Sequence, residues 1–171
     1  MTQAYFSTVL NQPAEAVWAL VRDFNDYPRY IDGVDQSVIE DTRSGDSVGA
    51  IRRFRYGGEW IRQRLVALSD ADRSFTYTGL APFRFPSTDG ATNPLTPIDY
   101  EGTLRVAPVV DGNRAFVEWW LTFDCSPDER DRWRSFLVDA ISQWLGSLAR
   151  TVANDVRRGA APGSSSGAAC R

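Results

Sequence analysis

Alternation of apolar and polar residues is the main pattern between residues 4 and 123. Segments in which apolar residues recur at every second position, bounded by Gly, Asp, Ser or Asn, are typical of β-strands with one buried face. Seven such segments are present: 4–10, 35–41, 48–56, 60–68, 74–79, 100–107 and 115–123. Gly57 and Gly58 separate the third from the fourth and predict a tight hairpin. The pattern therefore predicts an antiparallel meander.

Helical spacing replaces the alternation in two parts of the chain. After Pro13 the apolar residues recur at three- and four-residue steps up to Phe24, and a short helical turn closed by Gly33 follows. Ser126 as N-cap and Pro127 at the first helical position predict the start of a long final helix. Its apolar stripe consists of Trp133, Leu137, Ile141, Trp144, Leu148 and Val152. A meander with an amphipathic helix packed on one face is an α+β fold.

The segment 79–100, GLAPFRFPSTDGATNPLTPIDY, interrupts the meander with a long loop that contains four prolines. Loops of more than about a dozen residues are uncommon in compact domains and are often binding lids. Two turns separated by two antiparallel strands lie at the same end of a sheet. The Gly57-Gly58 hairpin, this loop and the start of the last helix should therefore share one end, where the loop can cover an opening between helix and sheet.

Composition limits the kinds of catalytic and metal site that the chain can form. The chain has 171 residues, 43% of them hydrophobic, which suits one domain over 1–158 and a disordered Gly/Ser/Ala tail over 159–171. It contains no His, and all 19 basic residues are Arg, so chemistry that needs an imidazole or a lysine amine is excluded. Cys125 and Cys170 are far apart and indicate neither a metal site nor a redox pair. We expect no cofactor, no membrane span and a cytoplasmic location.

Five quoted segments carry a family resemblance. They are PAEAVWALVRDFNDYPRYIDGV, VGAIRRFRY, WIRQRLVAL, YEGTLRV and VEWWLTFD. In this order they resemble the SRPBCC superfamily, also called START or Bet v allergen-like, and most closely its polyketide cyclase/dehydrase-like branch, over roughly Ala4 to Ala153. The resemblance implies a helix-grip fold: a curved antiparallel sheet of about seven strands wrapped around a long C-terminal helix, two short helices after the first strand, and an apolar cavity. Gln63 departs from relatives that carry Glu there, and the loop after Gly79 is longer than usual.

Alternation assigns two faces to each strand, and the resemblance favours the face of Arg52 as the inner one. The predicted ligand contacts on the strands, the loop and the last helix are Phe54, Gln63, Leu65, Phe75, Phe83, Phe85, Leu104, Trp119, Leu121, Phe136 and Trp144. The opposite face carries most of the sheet arginines, together with Glu101 and Glu118. Cross-strand ion pairs explain those charges more simply than nucleic-acid binding, which we do not expect with a net charge of −3.

Arg52, Tyr77 and Tyr100 are the candidate catalytic residues. A guanidinium that points into an apolar cavity needs a partner, which is either an internal group such as Asp23, Asp99 or a backbone carbonyl, or an anionic ligand. The two phenols can donate hydrogen bonds to a ligand oxygen, and the Gln63 amide can orient it.

Two function classes fit these residues. The first is a cofactor-independent cyclase or dehydratase that acts on a polyketide-like intermediate; the second is a non-catalytic carrier or sensor of a lipid or other hydrophobic ligand. Tyr27-Pro28 also resembles a motif of coenzyme Q-binding and ribosome-associated relatives, which would imply a protein-interaction role. In the first two classes the partner is a small apolar or aromatic molecule, with no metal, no nucleic acid and a homodimer left open.

Overall fold

The computed structural model describes residues 1–84 and 95–159 and shows an α+β fold with one seven-stranded sheet. The strands are β1 (Thr2–Leu10), β2 (Val34–Ile39), β3 (Ile51–Tyr56), β4 (Glu59–Ser69), β5 (Ser74–Gly79), β6 (Tyr100–Val109) and β7 (Arg114–Phe123). The helices are α1 (Ala14–Val21), α2 (Tyr27–Tyr30) and α3 (Arg130–Gly159), and a 3₁₀ turn at Pro127–Glu129 leads into α3. The fold class and the element order predicted from the sequence are confirmed.

The sheet is antiparallel throughout and runs β1-β7-β6-β5-β4-β3-β2. Every neighbour in the meander is a neighbour in sequence except β1, which pairs with β7. Register shifts lie between Val34 and Gln36 in β2 and between Leu65 and Ala67 in β4. Such irregularities bend a strand and increase its twist. They let the sheet curve around the long final helix.

Burial follows the predicted alternation. On β6 the buried residues Tyr100, Gly102 and Leu104 alternate with the exposed Glu101 and Arg105. The helix α3 spans 30 residues and packs along β1 and β7, with contacts to α1 and α2. Its stripe is buried as predicted at Trp133, Leu137, Ile141, Leu148 and Val152. Leu145, which the prediction omitted, is fully buried, whereas Trp144 is only partly buried because it faces a cavity.

Ion pairs explain most of the arginines on the outer face of the sheet. Arg105 pairs with Glu118 at 2.5 Å, as expected across β6 and β7. Three outer-face arginines of β3 and β4 pair instead with carboxylates on or just beyond β2: Arg55 with Asp35, and Arg62 and Arg53 with Glu40. Local charge pairing is therefore the structural role of these four arginines.

Candidate functional site

An apolar cavity lies between the inner face of the sheet, α2, α3 and the two ends of the long loop. Its free volume is about 40 Å³, against about 300–1,000 Å³ for typical small-molecule pockets, so an organic ligand must displace side chains to enter. The side chains that line it are mostly aromatic or branched aliphatic. They are Tyr27, Ile31, Val34, Phe54, Tyr56, Ile61, Gln63, Tyr77, Phe83, Ile98, Tyr100, Leu121, Leu137 and Trp144.

The mouth of the cavity is marked by the lining residues that are partly exposed: Tyr56, Ile61, Phe83 and Trp144. The Trp144 Nε1–H donates to the Tyr56 hydroxyl at 3.2 Å, which ties α3 to the end of β3. Their rings meet edge to face with centroids 6.0 Å apart. A ligand that enters must therefore separate or pass side chains from the loop, the β3–β4 hairpin and α3.

Phe83 closes the mouth from the side of the long loop. Its backbone forms a two-way bridge with Ile98, with N···O distances of 2.7 and 3.0 Å, so the two ends of the loop are held together. Its ring stacks on Phe136 of α3, with centroids 6.2 Å apart, and contacts the ring of Tyr100 edge to face. Phe83 thus sits where the predicted lid would need an aromatic side chain.

The far end of the loop is fixed to the start of α3 by Glu129. The Thr96 backbone N–H donates to Glu129 Oε1 at 2.9 Å, and the Ser126 hydroxyl donates to Oε2 at 3.1 Å. The Trp133 Nε1–H in turn donates to the Thr96 carbonyl at 3.2 Å. The loop and the start of α3 therefore lie at the same end of the sheet, as the order of antiparallel strands predicted.

Arg52 lies beneath the cavity, fully buried, and is held by neutral groups. Its Nε and one terminal nitrogen donate to Gln63 Oε1 at 3.1 and 2.5 Å, and the other terminal nitrogen donates to the Phe24 carbonyl. The guanidinium carbon is 3.4 Å from the centre of the Tyr27 ring and 3.7 Å from that of Phe24, which adds cation–π attraction on both sides. Among the described residues no carboxylate pairs with it.

The two carboxylates considered from the sequence have other positions. Asp23 accepts from the Asn25 backbone N–H at 2.8 Å, as a turn residue does. Asp99 forms no ion pair in the described part of the chain. Arg52 is therefore a buried cation whose partners are an amide oxygen, a backbone carbonyl and aromatic faces. No carboxylate among the described residues neutralises its charge.

Gln63 connects Arg52 to the cavity. While its Oε1 accepts from the guanidinium, its Nε2 donates to the Tyr100 hydroxyl at 2.7 Å. Both Gln63 and Tyr100 line the cavity, whereas Arg52 does not. Gln63 and Tyr100 therefore form a hydrogen-bonded chain between the charged guanidinium of Arg52 and the cavity.

Two further phenols reach the same cavity. The Tyr77 hydroxyl accepts from the Trp119 Nε1–H at 3.0 Å. The Tyr27 hydroxyl is buried and makes no hydrogen bond of normal geometry with any described residue. Glycines make room for two of the rings: a Cβ on Gly102 would lie 2.3 Å from Tyr77 Cζ, and one on Gly79 would lie 2.6 Å from Tyr100 Cε1.

Burial keeps these phenols protonated. Loss of solvation raises the pKa of Tyr27, Tyr77 and Tyr100, because the phenolate is the form that burial penalises. The hydrogen bond from Gln63 offsets part of the rise in the pKa of Tyr100, and the charge of Arg52 offsets a smaller part of the rise in all three pKa values. At neutral pH the cavity therefore presents hydroxyl donors beside a buried positive charge.

The structure divides the predicted site residues into two groups. Those that line the cavity are Phe54, Gln63, Tyr77, Phe83, Tyr100, Leu121 and Trp144. Those that lie behind the lining or beside it are Arg52, Leu65, Phe75, Leu104, Trp119 and Phe136. Phe85 falls outside the described residues, as do positions 160–171 of the predicted tail. The ligand-binding role of each residue stays a prediction.

Sequence reasoning missed the contribution of α2 and the residues next to it. Tyr27, Ile31 and Val34 line the cavity, and Ile98 lines it from the end of the loop. The four-residue step from Tyr27 to Ile31 was the available signal, since it places two large apolar side chains on one side of a helical turn. In the described ranges no helix is long and apolar enough to cross a membrane, and no group of three or more Cys, Asp or Glu side chains could hold a metal ion.

Comparison with solved structures gives the same fold. The XoxI protein of Bacillus cereus is 22% identical, with a TM-score of 0.72 over 91% of this chain and 99% of that chain. A Thermobifida fusca protein solved by NMR is 26% identical, with a TM-score of 0.70 over 90% of this chain and 95% of that chain. The di-domain ARO/CYC BexL, from the BE-7585A biosynthetic pathway, is 20% identical, with a TM-score of 0.65 over 90% of this chain and 47% of that chain.

Comparison with curated proteins finds no match. The model of one protein family, described as polyketide cyclase / dehydrase and lipid transport, matches residues 1–153. Of the described residues, that span contains the seven strands, α1, α2, the side chains that line the cavity and most of α3. The chain therefore belongs to the polyketide cyclase / dehydrase and lipid transport family.

Proposed function

We propose that this protein binds an apolar or aromatic small molecule in the cavity between the sheet and α3 and promotes cyclisation or dehydration of a polyketide-like ligand. The observation that carries the proposal is that the polar side chains among the described lining residues are four phenols and one amide, in an otherwise apolar cavity: Tyr27, Tyr56, Tyr77, Tyr100 and Gln63. Few polar groups in an apolar pocket are the usual arrangement for binding and orienting a small molecule. The family and the fold shared with an ARO/CYC protein support the same class of ligand.

The chemistry that suits the cavity is stabilisation of negative charge on oxygen. In an aldol-type cyclisation a carbon–carbon bond forms between an α carbon and a ketone carbon, and the proton lost from the α carbon ends on the new hydroxyl oxygen. Dehydration then removes that hydroxyl with a neighbouring hydrogen as water. Phenol donors and the field of Arg52 would stabilise the enolate and the alkoxide that develop along this path.

A carrier without turnover is the second candidate, and one observation favours it. None of the described residues that line the cavity is a carboxylate or another strong base. A cyclase with this lining must leave proton abstraction to solvent or to the substrate, and a carrier needs no base at all.

Binding is tested with indene, an apolar bicyclic hydrocarbon, followed by NMR of the tryptophan indole N–H signals. We expect the signals of Trp144 at the mouth and of Trp119 behind the cavity to shift, because their rings are in contact at 5.2 Å between centroids. The signal of Trp60 should not move, because Trp60 is on the outer face beside Arg53.

A matched pair of variants locates the ligand. Leu121→Phe fills part of the cavity and should weaken indene binding, whereas Val66→Phe adds the same kind of ring on the exposed face and should not. Equal weakening by both, or a shift of Trp60 alone, would reject the cavity as the binding site.

Turnover is tested with a linear aryl poly-β-ketone by mass spectrometry: loss of one water faster than in buffer supports the enzyme, and binding without any such loss supports the carrier.

A further inference from the structure

We infer that Gln63 sets the hydrogen-bond polarity of the cavity, that is, whether its phenols donate to a ligand or accept from it. Because Arg52 fixes the Gln63 amide, Gln63 makes Tyr100 a donor. The site therefore selects a ligand with an acceptor oxygen over one with a donor group. The inference rests on the proposed function, since it requires that a ligand occupies the cavity. It assigns Arg52 the role of a positioning residue that acts through Gln63.

The orientation of the Gln63 amide is fixed by its first partner. A guanidinium has only donors, so the group that faces it must be the amide oxygen. Two Arg52 nitrogens converge on Oε1, at 3.1 and 2.5 Å. A flipped amide would bring N–H groups against N–H groups in a fully buried position and leave donors on both sides without acceptors, which is costly.

The orientation of the amide then fixes the role of Tyr100. The Gln63 Nε2, 2.7 Å from the phenol oxygen, can only donate, so that oxygen accepts. The single proton of the Tyr100 hydroxyl is left for another acceptor, and no described residue accepts it. Because Tyr100 lines the cavity, this proton is available to a ligand oxygen.

Tyr77 has the same polarity for an independent reason. Its hydroxyl accepts from the Trp119 Nε1–H at 3.0 Å, and an indole nitrogen can only donate. Two phenol oxygens of the cavity thus each accept from an interior donor. The Tyr77 proton faces the Tyr27 oxygen, since a hydrogen bond from Tyr77 helps to lower the pKa of Tyr27, so the proton left for a ligand is that of Tyr100. The arrangement fits a ketone, an enolate or a phenolate oxygen and disfavours a ligand whose polar group is an N–H.

A single substitution should reverse this polarity at Tyr100. In Gln63→Glu the carboxylate has only acceptors, so one oxygen keeps Arg52 while the other accepts the Tyr100 proton. The phenol oxygen then offers lone pairs to the cavity. The buried guanidinium gains a charge partner at the same time, so the exchange keeps all three groups hydrogen-bonded.

The test uses three bicyclic probes of nearly equal size: 1-indanone, which only accepts, indole, which only donates, and indene, which does neither. Dissociation constants are measured by ligand-observed NMR. The parent protein should bind 1-indanone about two- to tenfold more tightly than indene, the range expected for one neutral hydrogen bond, and should bind indole no more tightly than indene. Gln63→Glu should lower the preference for 1-indanone over indole several-fold, with tighter indole binding.

Tyr100→Phe and Tyr5→Phe complete the test. Tyr100→Phe keeps the ring and should reduce the preference for 1-indanone without a gain for indole. Tyr5→Phe removes a hydroxyl that donates to Glu118 on the outer face and should change none of the three constants. If indene binds and Gln63→Glu keeps the parental order of probes, the inference is overturned. If none of the probes binds the parent, the proposed function itself fails.

Discussion

At the scale of single residues, the interior depends on close contacts between small and large side chains. Gly102 of β6 lies against the ring of Tyr77 on β5, its direct neighbour in the register. Tyr77 is buried and its ring contacts Phe24, Phe75 and Trp119. The ring is therefore enclosed on every side except that of the cavity, and the absence of a side chain at position 102 makes room for it there.

Gly102→Ala should consequently destabilise the fold by about 1–3 kcal/mol, the usual cost of overpacking, because a Cβ would lie 2.3 Å from Tyr77 Cζ. Urea unfolding measures the change. The matched control is Gly146→Ala in α3, where the nearest atom to a new Cβ is Arg150 Nη1 at 3.7 Å. There the same substitution should stabilise by up to about 1 kcal/mol through helix propensity. Equal effects at both sites would contradict the packing role of Gly102.

At the scale of elements, hydrogen bonds at its base hold the two ends of the long loop together and to α3. The Phe83–Ile98 bridge joins its two ends, and Glu129 fixes Thr96 to the start of α3. The hydrogen bond from the Thr96 backbone lowers the pKa of Glu129, so the carboxylate remains charged and accepting at neutral pH. A ligand that pushes Phe83 aside works against these few contacts.

Glu129→Ala should therefore speed amide hydrogen exchange at Thr96 and Ile98, because the loop base loses the acceptor that it shares with α3. Exchange is followed residue by residue by NMR. Asp128→Ala is the control, since Asp128 belongs to the same 3₁₀ turn and makes no described hydrogen bond with the loop. Unchanged exchange in Glu129→Ala, or an equal acceleration in both variants, would show that Glu129 does not secure the loop.

At the scale of the whole molecule, exposed arginine–carboxylate pairs connect distant parts of the chain. Arg22 on the end of α1 bridges Asp70 in the β4–β5 turn and Asp46 in the loop before β3, at 2.9 and 3.0 Å. Hydrogen bonds from Arg22 and Trp18 lower the pKa of Asp70, and those from Ser44 and Arg22 lower the pKa of Asp46. Arg55 and Arg62 likewise lower the pKa of Asp35 and Glu40.

Stability should accordingly depend on pH only in acid. The unfolded chain takes up protons at these carboxylates near their ordinary pKa values of 3.8 and 4.5, and the folded chain does so at lower pH. The stabilisation is therefore complete above about pH 5 and is lost as the pH falls through the folded pKa values. With no His in the chain, the urea midpoint should stay flat between about pH 5.5 and 7.5.

The acid transition should also weaken in Asp70→Asn, which removes one of the depressed carboxylates. A midpoint that falls between pH 7.5 and 5.5, or that is unchanged at pH 3, would contradict this assignment. Added salt should lower stability modestly above pH 5, because exposed charge pairs are screened.

The sequence by itself determined the secondary structure, the order of the elements, the inner and outer faces of the strands and the family. The first two follow from two-residue and three-to-four-residue periodicities, which are local and can be read directly, whereas the choice of the inner face and the family came from the resemblance of five segments to a known family. Only the tertiary structure decided which inward residues form the cavity and which lie behind it: Phe54 and Leu65 both point inward, yet only Phe54 lines the space. Periodicity indicates to which face of the sheet a side chain points, but not whether that side chain borders the cavity. That depends on how far the sheet curves and on where α2 and α3 fill the interior. The partner of Arg52 was undecided for the same reason, since the Phe24 carbonyl and the Gln63 amide reach it only after the sheet and α1 have packed together.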